Sequence, residues 1–210
     1  VEVQLHRRRE ALVEGRQRPR AQAMHALSTR VTSLYWFNLS LESLLQFPDT
    51  WDAMARVGRE IRMLEPFYLE GDAYRFERRL RDGQPDWDLA SIAAPEAAVL
   101  FALDTAYTAD PKENVFVFGP PRAATFAYAL PPWLRQPKEV FRVDADGLHD
   151  TRWKATATGV EIEDSVTRDA VYIATSAPAV RSGIEARRQS ALAREVANPP
   201  DPEALKKLGR

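Results

Sequence analysis

The chain has 210 residues, 45% hydrophobic and 28% charged, a balance that excludes wholesale disorder and allows a sizeable buried core. Its formal net charge of -1 provides no global field to draw nucleic acid or an anionic membrane, and neither is expected as a partner. The absence of cysteine excludes disulfides, thiolate nucleophiles, Cys-ligated zinc and iron–sulfur clusters.

No stretch carries enough consecutive apolar residues to predict a membrane-spanning helix. The opening run from Val1 to His6 lacks the apolar region of a signal peptide. Arg7, Arg8, Arg9, Arg16, Arg18 and Arg20 make the first segment locally basic, which reads as a solvated helix face. Gly15 and Pro19 interrupt any helix there. From residue 21 to 45 the apolar spacing turns helical through Met24, Leu27 and Val31. It becomes apolar on most sides from Leu34 through Trp36, Phe37, Leu41, Leu44 and Leu45, so this part is expected to be buried against something.

A second helix is predicted after Phe47-Pro48, with Asp49 as its N-cap. Trp51, Met54, Val57 or Gly58, Ile61 and Leu64 form its apolar stripe. Arg56, Arg59, Glu60 and Arg62 take the opposite face, and Glu65-Pro66 ends it. Residues 71–95 are charged and interrupted by Gly83 and Pro85, and read as a connector holding one short strand near Tyr74 to Phe76.

Beyond residue 95 the period falls to two. Val99, Phe101 and Leu103 alternate, as do Phe126, Tyr128 and Leu130, Phe141 and Val143, Val160 and Ile162, and Val171 and Ile173; Val115 and Val117 add a further pair. Asp110-Pro111, Gly119-Pro120-Pro121, Pro131-Pro132, Asp146-Gly147 and Thr158-Gly159 separate them. The pattern predicts six or seven antiparallel strands in a sandwich or barrel. Asp146-Gly147 and Thr158-Gly159 would supply positive φ in tight hairpins. A polar helix after Pro178, with Ile184, Ala191, Leu192 and Val196 on a narrow stripe, closes the pattern before a tail. The expected class is therefore α+β: a helical segment over residues 1–70, a connector over 71–95, an antiparallel β-sandwich over 96–176, and a C-terminal helix and tail over 177–210.

Chemistry is sparse. His6, His25 and His149 sit in no metal-binding or nucleophile-base pattern, and no phosphate-binding glycine loop is present. Read as a calcium loop, Asp144-Ala145-Asp146-Gly147 puts Arg142 and Trp153 where oxygen ligands are required, so a hairpin explains the glycine better. A looser cation site from Asp144, Asp146 and Asp150 is the weaker alternative. No catalytic residue, metal site or cofactor is predicted. Three ligand-binding candidates remain: Trp133, held out by Pro131-Pro132, Trp87, and Glu42 inside the apolar segment. Indole faces stack on sugar rings, but they also cover the ends of sandwich cores, as Trp36 and Trp51 do for helices.

The run from Trp51 to Gly71, with Arg59-Glu60-Ile61 and Leu64-Glu65-Pro66, resembles the last helix and exit segment of bacterial (β/α)8 glycoside hydrolases. The strands from Phe141 through Asp146-Gly147, Trp153, Gly159 to Glu163 and Ala170 to Thr175 resemble the C-terminal sandwich that follows such barrels. The likeness covers residues 34–175. A barrel needs about 250 residues, and its catalytic carboxylates lie on strands this chain lacks, so no catalytic residue carries over. The resemblance implies a non-catalytic accessory module of a carbohydrate-processing enzyme. Its partner would be the barrel, or an oligomer partner, docked on the apolar 34–45 segment. The alternatives are a stand-alone glycan-binding sandwich and a structural protein that associates through its helices.

Overall fold

The computed structural model describes residues 19–31, 33–34, 48–110 and 115–199, together with 203 and 207. Helix α1 covers residues 19–28 and α2 runs Pro48–Glu70. Eleven strands follow among the described residues: β1 Asp72–Arg81, β2 Gln84–Ala93, β3 Ala97–Asp104, β4 Thr108–Asp110, β5 Val115–Val117, β6 Arg122–Ala129, β7 Glu139–Asp144, β8 Gly147–Asp150, β9 Arg152–Ala155, β10 Gly159–Val166 and β11 Asp169–Thr175. Helix α3, Ala179–Ala197, closes the fold.

The class is α+β. A six-stranded antiparallel sheet has the order β1-β2-β3-β11-β7-β8, a three-stranded sheet has the order β6-β10-β9, and β4 and β5 form a separate ribbon. The inner faces of the two larger sheets pack as a sandwich. Trp87, Leu100, Val140 and Tyr172 from the large sheet meet Phe126, Tyr128, Val160 and Ile162 from the small one. Ala98, Ala102, Ala170 and Ala174 lie among these rings; alternating small and large residues let two facing layers interdigitate.

The outer face of the large sheet is covered by helices. Val99, Phe101, Phe141, Val143, Val171 and Ile173 pack against Met24 and Leu27 of α1, Met63, Leu64 and Phe67 of α2, and Val180 and Ile184 of α3. Strands β3 and β11 are thus buried on both faces, so the alternation expected of a half-solvated sandwich is absent from them. Each large side chain here contributes about 1.5–3 kcal/mol of burial free energy.

The stretch expected to be a connector forms a ten-residue hairpin pair, β1 and β2. Asp82 and Gly83, with φ of 51° and 78°, make the two-residue turn whose twist matches the strands. Helix α1 has Pro19 as its first described residue. It ends as Ser28 and Thr29 donate side-chain hydrogen bonds to the carbonyls of His25 and Ala26, and Arg30 adopts φ of 60°.

Helix α2 differs from expectation in two ways. It continues through Pro66 to Glu70, because Phe67 anchors the last turn in the core and Arg62, whose carbonyl loses its partner, is exposed. Its buried stripe is Ala53, Val57, Glu60, Leu64 and Phe67, whereas Trp51, Met54 and Ile61 are only half-buried. Glu60 is not on the solvent face at all. It is 2% exposed, and the Arg20 Nε–H donates to both of its oxygens at 2.8 and 3.0 Å; Arg20 also pairs with buried Asp169 at the start of β11. Arg20 therefore leaves the solvated basic face assigned to it and ties α1 to α2 and the sheet. In α3 only Val180 and Ile184 are buried, and Val196 is exposed.

Of the two glycines expected at positive φ in the later hairpins, Gly147 has it and Gly159 does not. In β7–β8 the turn residues are Ala145 and Asp146, and Gly147 follows them at φ of 151°. Gly159 has no positive φ. A Cβ there would stand 2.1 Å from the Tyr128 carbonyl oxygen and 2.8 Å from the Leu130 nitrogen, so close strand approach is what requires it.

Candidate ligand-binding surface

Strand β6 leaves the sandwich core at Leu130 and enters a 3-10 turn, Pro132–Leu134. Pro131 is extended at φ -61° and ψ 155°, and the Leu134 N–H donates to its carbonyl at 2.9 Å. Leu134 is buried in the inter-sheet core, which turns its neighbour Trp133 outward to 63% exposure. Two consecutive prolines remove backbone freedom, so the indole is presented from a stiff mount. The mount is fastened from both sides: the Leu130 N–H donates to Thr158 O at 2.9 Å, and the Tyr74 hydroxyl donates to Leu130 O at 3.4 Å.

The same loop then borders a groove of about 800 Å³. Ser176 Oγ donates to Gln136 O at 3.2 Å and the Lys138 N–H to Thr175 O at 2.9 Å, joining the loop to the exit of β11. Lys138, Glu139, Ser176, Arg181 and Ser182 supply polar edges to the groove. Arg181 is fixed by Glu139 at 2.6 Å and Asp150 at 2.7 Å and lies 4.9 Å over the Phe141 ring. Hydrogen bonds from Glu139, then Asp150, hold its guanidinium above its ordinary pKa. Trp133 does not line the groove but lies on the loop that leads to it; an exposed aromatic plate and a groove edged by polar side chains on one loop suit a polyhydroxylated ligand bound by stacking and hydrogen bonding.

The other candidates are placed elsewhere. Trp87 is 2% exposed, with Phe126 edge-on at 5.0 Å and the Arg122 guanidinium 4.4 Å over its ring, so protein occupies the faces a sugar would need. Glu42 and residues 35–45 of the apolar segment lie outside the described residues, as do His6 and Arg7 to Arg18. Leu34, at the start of that segment, is half-buried against the helix-side core.

The three acids of the looser cation site do not converge. Asp144 accepts from the N–H groups of Asp146 and Gly147 and meets His149 Nε2 at 3.0 Å; Asp146 pairs with Arg56, and Asp150 with Arg181. Among the described residues no cluster of three metal-ligating side chains occurs. His25 is half-buried beside Asp88 and Arg78. Asp86 and Asp104, both buried, share Arg122 between them, and Arg81 also pairs with Asp86, so their oxygens are engaged by arginine.

Sequence reasoning anticipated the outward placement of Trp133 from Pro131-Pro132 but missed the groove, whose walls come from residues 138–139, Leu148 and residues 175–185. Only the helix start after Pro178 signalled one side of it. No protein-family model, no curated protein and no solved structure matches the chain.

Proposed function

We propose that this chain is a non-catalytic accessory module of a carbohydrate-processing enzyme, and that it holds glycan at the Trp133 end of its sandwich. The exposed Trp133 on its proline mount carries the reading: an indole this exposed would be a loss of burial unless a ligand covers it. The groove that the same loop reaches at Lys138 is largely apolar, and Lys138, Glu139, Ser176 and Arg181 on its edges supply the hydrogen-bonding groups that sugar hydroxyls need. The resemblance of residues 34–175 to the closing helix and sandwich of glycoside hydrolases supports the enzyme context.

Affinity electrophoresis through gels containing individual soluble glycans tests this. Wild-type chain is expected to be retarded by at least one of them and Trp133→Ala to run as in a blank gel, with unchanged thermal unfolding. Wild-type migration unaffected by every glycan tested would end the proposal.

One observation favours a second reading, a stand-alone glycan-binding protein: α1, α2 and α3 already cover the outer face of the large sheet. The genomic sequence upstream of the Val1 codon separates the two. A long open frame encoding alternating strands and helices is the outcome expected for the module; a stop codon and ribosome-binding site there would leave the stand-alone protein.

A further inference from the structure

Helices α2 and α3 enclose a second groove, of about 400 Å³, that the glycan reading does not use. Ala55, Gly58, Ser190 and Ala191 leave it open, and a Cβ at Gly58 would meet nothing within 4 Å. Its charged lining is dominated by arginine: Arg59, Arg62, Arg187 and Arg194 against Glu65 and Glu195. The two carboxylates are already engaged. Glu195 holds Arg59 through both oxygens, and Glu65 accepts from Arg62 at 3.1 Å.

Arg187 is the distinctive member. Its Nε donates to the Met63 carbonyl at 2.8 Å, and its guanidinium lies 5.7 Å from the Phe67 ring centroid. These contacts orient the group without neutralising it, since a carbonyl and an aromatic ring bring no formal charge. Burial lowers its pKa, with Glu65 opposing only in part; a guanidinium nevertheless stays protonated. A half-buried, pre-oriented cation with its outer nitrogens left over is a fork for an oxyanion.

We propose that the α2–α3 groove binds a tetrahedral oxyanion, the phosphate or sulfate ester of a small ligand, with Arg187 as the oriented donor and Arg62 and Arg194 as flexible arms. Arg62 and Arg194 are exposed; Arg62 is held by Glu65 in an exposed pair that a bound anion can compete with. Arg59, pinned by Glu195 and by Ala145 O at 3.0 Å, sets the wall.

Thermal unfolding in inorganic phosphate, in sulfate and in chloride at matched ionic strength tests the proposal, followed by calorimetric titration. A saturable rise in Tm in phosphate or sulfate over chloride is expected, as for any ligand that binds the folded state alone. Arg187→Gln should weaken the affinity by about tenfold or more, the size of one charge-assisted hydrogen bond. Ala191→Glu, which leaves every arginine in place and adds an anion to the groove, should abolish it. Arg135→Gln, on the Trp133 loop, should keep it. Preference for phosphate identifies a phosphoester ligand, and preference for sulfate a sulfate ester. No saturable effect, or equal effects in wild type and Ala191→Glu, overturns the proposal. Should Arg187→Gln fail to fold, Ala191→Glu decides alone.

Discussion

Arg122 stacks 4.4 Å over the ring of Trp87 and, from the same guanidinium, bonds Asp86 and Asp104. These three partners come from β2 and the end of β3, while Arg122 opens β6 in the other sheet. One side chain thus clamps the two sheets at the end of the sandwich. Removing it leaves Asp104 with no cation among the described residues and Asp86 with Arg81 alone, so Arg122→Ala should cost about 3 kcal/mol in urea unfolding. Arg122→Lys should recover little of this, because an ammonium has neither the fork nor the flat face.

The buried carboxylate of Glu60 plays the corresponding part on the helical side. Glu60→Ala leaves Arg20 with only Asp169 and should destabilise the fold by about 3 kcal/mol. Because Arg20 belongs to α1, the loss should concentrate there. Hydrogen exchange in residues 21–28 should accelerate more than in β3, and equal acceleration in both would show that α1 is not held by this pair.

Burial holds His25 below its ordinary pKa of 6.5, with Asp88 raising and Arg78 lowering it by less. The unfolded chain therefore binds a proton that the folded chain resists. The sign follows from linkage: His25 disfavours folding as pH falls below about 6.5, and has no effect well above it. The wild-type stability minus that of His25→Gln should be constant above about pH 7.5 and decline from about pH 6.5 toward pH 5. A flat difference across that window would show that His25 is as solvated folded as unfolded.

Three glycines separate three physical requirements. Gly159→Ala drives a methyl into backbone on β6 and should cost about 1–3 kcal/mol. Gly83→Ala meets nothing but sits at φ of 78°, so its cost should be about 1 kcal/mol. Gly119→Ala has neither problem and should lie within about 0.5 kcal/mol of wild type. Chemical denaturation of the three variants gives the ranking directly.

Much of the sandwich was legible because Phe126, Phe141 and Val160 recur at period two and the apolar runs around Val99 and Val171 sit between strong turn signals. What escaped was hidden by specific competing effects. Strand β1 shows no apolar face because it is an edge among the described strands and is exposed along nearly its whole length, Phe76 and Leu80 included. Only the Asp82-Gly83 pair announced the hairpin. Glu60 looked like a surface residue since its compensating cation, Arg20, lies far away in sequence. Covering of the large sheet by helices on its second face could not be inferred from alternation alone. Trp133 was readable from its two prolines; the groove beside it exists only where residues 138–139 meet the start of α3.

Strand β11 occupies the slot between β3 and β7, antiparallel to both. It is the last of the described strands to be made. Until residues 169–175 leave the ribosome, the β1-β2-β3 meander and the β7-β8 hairpin have no common neighbour, and two apolar edges face one another across an empty slot. Closure of the large sheet consequently waits on β11. Chaperone capture of ribosome-bound intermediates should persist through β10 and fall once β11 has emerged.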